Sequence, residues 1–445
     1  METSIIIQSV AASLAGVLVS AAASLIPGLH IYNVIALTMF LAFAAADFFA
    51  ALNAMVLTGF MLGMVVGFAM LFTVSSQYFQ PNDESFRSIM LPHERFLLEG
   101  RAHEAVMLGA LGSLMAIFGI VLLFPLIPDF FSLIRRLTQH HAYWIIGLVM
   151  AFILMTEWPK DHGVGKTGWQ RFSDGWVQLG MGYFTFIVAG ILGMFVFFKT
   201  IVPVENAFQS LMPLFVGLFA VPSQIMTLIT NVKVPKQHFC ESIECAPHDI
   251  ARGGFAGFLA GLFASLVPGM TPGPALLCTG HLTVTSGERQ FLIAGGVGRV
   301  LYYVGSIMLF FMPGLFMRRG GAAINISLFF VPETAEQFYL ISGIIAITGA
   351  VSFLMIGPFS KLCAYLVEKI DYKMFSSGGC LLLLGLTIWI TGWTGLTLLV
   401  VSTALGLVPN MWHSRRLNLL AVLMVPVCLN MAGIGPKVAK FFGFY

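Results

Sequence analysis

Apolar runs of span length recur from end to end of this chain, and that length limits the possible folds more than any motif does. A helix needs roughly 20 consecutive, mainly apolar residues to cross the hydrocarbon of a bilayer. Residues 4–26, 105–124, 177–198, 290–315 and 381–408 each supply such a run. A membrane barrel would instead alternate over segments of about ten residues, and that pattern is absent. Composition agrees: 58% of the side chains are hydrophobic and 10% are charged, against roughly 25% charged in an ordinary soluble domain. The fold expected is all-α, a polytopic transmembrane bundle of about ten to twelve spans. The first run follows Glu2 with no basic segment before it and is long enough to span, so it is expected to stay as the first membrane helix.

Net charge is +3 and no basic run stands out, so nucleic acid is not an expected partner. Cys278, Cys363, Cys380 and Cys428 each stand alone in apolar surroundings, where cysteine behaves as a small hydrophobe. His238, Cys240, Cys245 and His248 share a polar stretch, but their spacing fits no zinc pattern, so no metal is expected. A disulfide between Cys240 and Cys245 requires an oxidising compartment. Gly163-Val164-Gly165-Lys166-Thr167 echoes a phosphate loop, yet Lys160 stands where the loop needs its first glycine, and no strand precedes it. No His-Glu-x-x-His motif or serine elbow lies in a span, so neither an enzyme nor a cofactor is expected.

Polar stretches divide the chain into a first membrane repeat at 1–230, a central connection at 231–252 and a second repeat at 253–445. The division rests on an internal likeness. Ala23-Ser24-Leu25-Ile26-Pro27-Gly28 recurs as Ala264-Ser265-Leu266-Val267-Pro268-Gly269, an offset of 241 residues, and Ala15-Gly16 recurs as Ala256-Gly257 at the same offset. Proline removes a helical hydrogen bond and glycine loosens the chain. In hydrocarbon the freed backbone groups must be satisfied by protein or by a water-filled cavity. Matched breaks in two halves are how secondary transporters build a binding site from discontinuous helices, whose N-termini present N–H groups and a positive dipole end to an anion. The plain alternative is a pair of packing kinks. The second break continues through Met270, Thr271, Pro272, Gly273 and Pro274, which is more disruption than a kink needs.

Candidate substrate contacts follow from these breaks: Ser24, Pro27, Gly28, His30 and Asn33 at the first, and Ser265, Pro268, Gly269, Thr271 and Gly273 at the second. Histidine can donate to an anion or relay a proton near neutral pH, which also draws attention to His281. Arg299 follows Gly295-Gly296-Val297-Gly298 inside an apolar run. An always-charged, planar guanidinium suits a carboxylate, against the alternatives of snorkelling or a structural ion pair. Asp47 lies in another apolar stretch, where a carboxylate must be paired, protonated or facing water, and it is the candidate for proton or sodium coupling. Its alternative is a turn between two spans. Asn53 beyond it more often holds helices together.

Pro27-Gly28-Leu29-His30 after a helix rich in small residues resembles the opening of the TctA family, the large membrane subunit of tripartite tricarboxylate transporters, and most of all its archaeal-type branch. Further stretches agree in order: Pro81-Asn82-Asp83-Glu84, then Leu91-Pro92-His93 and Leu97-Leu98-Glu99-Gly100, then Leu211-Met212-Pro213-Leu214-Phe215 with Gly217-Leu218-Phe219. Arg415-Arg416 leading to Leu423-Met424-Val425-Pro426 resembles its C-terminal span. The second break is richer in proline than the family pattern. The resemblance implies a multi-pass permease of a prokaryotic-type cell membrane, moving a small organic anion on a proton or sodium gradient. It also implies a small membrane subunit and a solute-binding protein as partners. Rival expectations are a carrier for a lipid phosphate and a non-transporting subunit of a larger membrane complex.

Overall fold

The computed structural model describes residues 2–26, 28–44, 53–79, 90–157, 165–199, 201–202, 210–229, 234–412 and 414–444. Among these, every regular element is a helix. Within the bilayer the chain can satisfy its N–H and C=O groups only along itself or in a closed barrel, and helices are the outcome here.

In chain order the helices are α1 (Thr3–Ser24), α2 (Ile31–Ala44), α3 (Ala54–Phe79), α4 (Met90–Leu98) and α5 (Ala102–Phe118, wound on to Leu126). Then come α6 (Pro128–Gln139), α7 (Ala142–Met155), α8 (Gly168–Phe198), α9 (Leu211–Ile229), α10 (Pro247–Leu266), α11 (Pro272–Leu282) and α12 (Glu288–Phe311). The last are α13 (Gly320–Ile326), α14 (Ala335–Lys369), α15 (Tyr372–Met411), α16 (Ala421–Met431) and α17 (Gly435–Phe441). Eight of them are long and apolar enough to cross a membrane. The number rises to ten when each of two bent pairs, α6 with α7 and Arg416–Met431 with α17, counts as one span. That upper number meets the lower end of the expectation. In addition, α15 has 40 residues, about 60 Å of rise and twice a bilayer's hydrocarbon thickness. It is broken at Gly392, whose φ of 68° lies in the left-handed region.

Two compact units divide the molecule. One holds 1–137, 232–266 and 271–375; the other holds 138–231, 267–270 and 376–445. In the first unit α3 and α12 are the innermost helices, 83% and 94% buried over their apolar windows. Glycines let their neighbours come close. A Cβ on Gly16 of α1 would sit 2.1 Å from the Phe60 carbonyl oxygen, and one on Gly63 of α3 would sit 1.8 Å from that of Ser13. On α10 a Cβ at Gly257 would lie 2.5 Å from the Ala294 oxygen, and on α5 one at Gly112 would lie 2.1 Å from the Ile293 oxygen. Backbone-to-backbone packing of this kind is how membrane helices associate where burial from water offers no drive. The second unit repeats the device, with Gly193 of α8 against the Val422 carbonyl of α16 and Gly217 of α9 against that of Leu399 on α15.

Other signals have local causes. Asn53 is a helix cap: its side-chain oxygen accepts the Met55 N–H at 2.8 Å and starts α3. Trp169, Phe172 and Trp176 line the exposed, polar beginning of α8, as interfacial aromatics do. The six cysteines are all free thiols, Cys240 and Cys245 included.

Gly63→Ala is expected to destabilise the protein by about 1–3 kcal/mol, because the new methyl must push α1 off α3. Gly343→Ala on α14, where a Cβ meets nothing within 4 Å, should be neutral or stabilising by up to about 1 kcal/mol. Denaturant unfolding in detergent compares the two; equal stability of both variants would remove the close crossing as a source of stability.

Candidate functional site

Both breaks interrupt the helices, but the second is shorter than expected: Pro272, Gly273 and Pro274 form the first turn of α11, where proline's missing N–H costs no helical bond. At the first, α1 ends at Ser24, Gly28 takes φ 78°, and the His30 carbonyl accepts the Asn33 N–H as α2 begins. At the second, α10 ends at Leu266, Gly269 takes φ 69°, and Thr271 stands at the N-cap of α11. The two left-handed glycines lie 241 residues apart, the offset of the sequence likeness. A residue with a Cβ seldom adopts this conformation, which accounts for glycine at both places. Pro27 and Asp47 lie outside the described residues.

Within the first unit His30 of the first break and the helices flanking the second lean on α12, the helix that carries Arg299; the turn at 267–270 belongs to the second unit. From the first break, the Tyr32 N–H donates to His30 Nδ1 at 3.1 Å, so Nε2 carries the proton and donates to Tyr303 Oη at 2.9 Å. The His30 ring is packed among Tyr32, Phe68 and Tyr303. Tyr303 lies four residues after Arg299, one turn along the same face. From the second break, α10 and α11 pack along α12, with Leu276 of α11 against Gly298.

Arg299 is 1% exposed, the one Lys or Arg among the buried described residues. Its Nε donates to the Ala69 carbonyl at 2.7 Å and its Nη2 to Thr73 Oγ1. Snorkelling is therefore ruled out: the guanidinium crosses inside the protein from α12 to α3. Ala69, Thr73 and Gln77 follow at four-residue spacing, so a backbone carbonyl, a hydroxyl and an amide line one face of the C-terminal half of α3. At its end Gln77 and His93 clasp each other, the imidazole donating through Nδ1 to Gln77 Oε1 and Gln77 Nε2 donating to the His93 carbonyl at 2.8 Å. Burial and, secondarily, the positive charge of Arg299 push His93 down to about 3.

The remaining candidates are placed as follows. Ser24 and Ser265 both donate their hydroxyl proton to their own helix, to the carbonyls of Ala21 and Gly261. Pro268 and Gly269 form the turn, and Asn33 is half-buried in the first turn of α2. Thr271 is 3% exposed and its Oγ1 has no hydrogen-bond partner. In α11 the expected ring of amides is thinned by chemistry, since Pro272 and Pro274 carry no N–H. Of the first three positions only Gly273 has one, and the Ala275 N–H already reaches the Thr271 carbonyl. His281 is exposed at the far end of α11 and bonds the Leu277 carbonyl. Tyr303, Thr73, Gln77 and His93 were not among the sequence candidates. Polar residues four apart inside a long apolar run were the signal for two of them.

The chain matches the tripartite tricarboxylate transporter TctA family over residues 10–421. It belongs to that family. An uncharacterized protein of Methanocaldococcus jannaschii is similar to it, 23% identical over 369 residues, 81% of this chain and 82% of that one. No solved structure matches the chain. As a TctA member it is a multi-pass membrane component of a transporter and not an enzyme.

The buried His93 makes acid stability a readout of this site. Its proton affinity is lowered in the folded state, so between the ordinary value of 6.5 and about 3 the unfolded chain binds a proton that the folded chain does not. Stability should fall through that window as pH drops, by up to roughly 1.4 kcal/mol per pH unit from this group. His93→Gln should flatten that dependence in unfolding measured against pH; an unchanged slope would mean that His93 protonates freely in the fold.

Proposed function

We propose that this TctA chain is the permease of a small organic anion, a carboxylate, driven by a proton or sodium gradient across the cell membrane. A small membrane subunit and a solute-binding protein are its proposed partners. The observation that carries the proposal is Arg299: a permanent charge at 1% exposure on the helix against which His30 and the helices flanking the second break pack. Such a residue is costly in a membrane protein and marks a pathway or a binding site by default. The buried Thr271 hydroxyl, which has no hydrogen-bond partner, would supply a neutral donor of the kind a carboxylate takes at the start of α11. Ser24, Gly28, His30, Asn33 and Ser265 would shape the same site within the first unit. The shared 241-residue offset of Gly28 and Gly269 supports two repeated halves, at 1–230 and 253–445. Alternating access would then come from one half moving against the other.

Arg299→Lys keeps the charge but loses the planar fork. It should lower carboxylate affinity by more than tenfold, since a hydrogen bond to a charged group is worth about 1.5–3 kcal/mol. Arg299→Gln should be worse. The competing structural role forecasts lost folding with normal binding by whatever protein still folds. Equal anion affinity for wild type and both variants, measured on folded protein in detergent, would remove Arg299 from the site.

Asp47 remains the proposed coupling carboxylate. Asp47→Asn should abolish gradient-driven accumulation of a radiolabelled carboxylate in liposomes while anion exchange at equal concentrations persists. Undiminished accumulation under the same gradient would eliminate Asp47 from coupling.

A further inference from the structure

Among the described residues Glu157 is the one acidic side chain that is buried, at 3% exposure. It stands in the second unit, two residues beyond the end of α7. The room for it is made by α8: a Cβ at Gly182 would lie 2.6 Å from both its Cγ and its Oε1. Its Oε1 accepts the Arg415 N–H at 2.8 Å, where the chain turns into the helix of Arg416–Met431. The Arg415 guanidinium does not pair with it and reaches Thr156 Oγ1 at 2.9 Å instead. Oε2 has no hydrogen-bond partner. The Asn418 amide beside the carboxyl is 0% exposed with neither its oxygen nor its nitrogen bonded, and the Ser414 hydroxyl is also buried and unbonded.

This is an unusual concentration of unsatisfied buried groups, since such atoms are nearly always paired. One added hydrogen atom improves it. A neutral acid keeps Oε1 as the acceptor of the Arg415 N–H and turns Oε2 into a donor, for which the unbonded Asn418 Oδ1 beside it is the acceptor at hand. A metal cation would have to take its place beside an N–H group and the positive end of a helix, which repel it. We propose that Glu157 is a reversible proton-binding site, held by Asn418 when protonated and by the Arg415 N–H in both states. Its role in coupling rests on the transport reading above; its titration does not.

The electrostatics leave the group poised. Burial raises its proton affinity above the ordinary glutamate value, while the Arg415 N–H, the Asn418 amide lying beside it without closing a hydrogen bond, and the Arg415 charge partly oppose this. The other titratable groups on the elements around it are Arg171, Asp174 and Tyr183 on α8, Tyr143 on α7, Arg416 on the incoming segment and Cys428 on α16. Asp174 is paired with Lys166 at 2.7 Å and Arg416 is bonded to Asn410. An acid whose folded-state affinity is raised destabilises the fold once pH exceeds its unfolded value, and the cost is complete above its folded one. A permanently ionised cap on the helix start would do the opposite and stabilise at neutral pH.

The test is infrared titration of the full chain in detergent, with Glu157→Gln as the reference. A protonated-carboxyl band should be present above the ordinary glutamate range and absent from the variant. Glu157→Gln should also raise the unfolding midpoint at about pH 8 and leave it unchanged at about pH 4. In liposomes the variant should keep anion exchange but lose the response to a pH gradient. A band that titrates in the ordinary glutamate range, or a variant that is destabilised equally at both pH values, overturns the proposal and leaves a structural cap. A midpoint that shifts with sodium concentration overturns it in favour of a sodium site. If the titration holds while the wild type moves no anion at all, the proton site stands and the transport reading falls. Gly182→Ala, which would displace the carboxyl, should abolish the band without removing the glutamate; a persisting band counts against the geometry.

Discussion

The constraint on which the rest depends is that backbone dipoles inside a bilayer have nowhere to go but into the protein. It makes the chain helical, and it makes each departure from a helix informative. At Gly28 and Gly269 the helix stops in the middle of sequence that is otherwise apolar, with the chain turned through a left-handed glycine in both cases. Tight packing supports these departures. α3 and α12 lie deep in their unit because Gly16, Gly63, Gly112 and Gly257 let neighbouring backbones touch, and packing at that density leaves little room for water. The same closeness explains how Arg299 can be buried at all. Its donors end on a helix carbonyl and a threonine of the adjacent helix, groups within reach only when the helices nearly touch.

Much of this was legible because span length and helix breaks are local properties. Runs of apolar residues announce spans, and Pro-Gly pairs announce where they stop. The boundaries were less legible where the physics is not local. Residues 416–431 and 435–441 join as a bent pair, which no hydropathy window describes. The candidate site divides in the same way. Arg299 was visible as a charge in an apolar run, but its partners Ala69 and Thr73 lie more than 220 residues away. Glu157 was hidden for a related reason. It adjoins a polar stretch and reads as the edge of a loop; Gly182, Arg415 and Asn418 are what bury it, and no pattern around residue 157 foretells them.

The proline content of α11 decides what kind of anion recognition is open to this chain. A helix start with its usual amides can hold a carboxylate through backbone dipoles alone, and a nearby arginine is then an aid to affinity. Here Pro272 and Pro274 carry no N–H, so two of the first three donors are missing. Under the proposed reading the few neutral donors left would compensate a full negative charge poorly in a medium where charge–charge terms are strong. The deficit would then have to be met by a fixed positive charge, and Arg299 is the one the fold buries on the helix beside that start. The first break argues the same way from its own chemistry: His30 is engaged with Tyr303 and with the Tyr32 N–H, so it would offer hydrogen bonding in place of a fixed charge. In the proposed site both breaks would supply shape and hydrogen bonds, and the net charge favouring an anion over a neutral solute would come from α12.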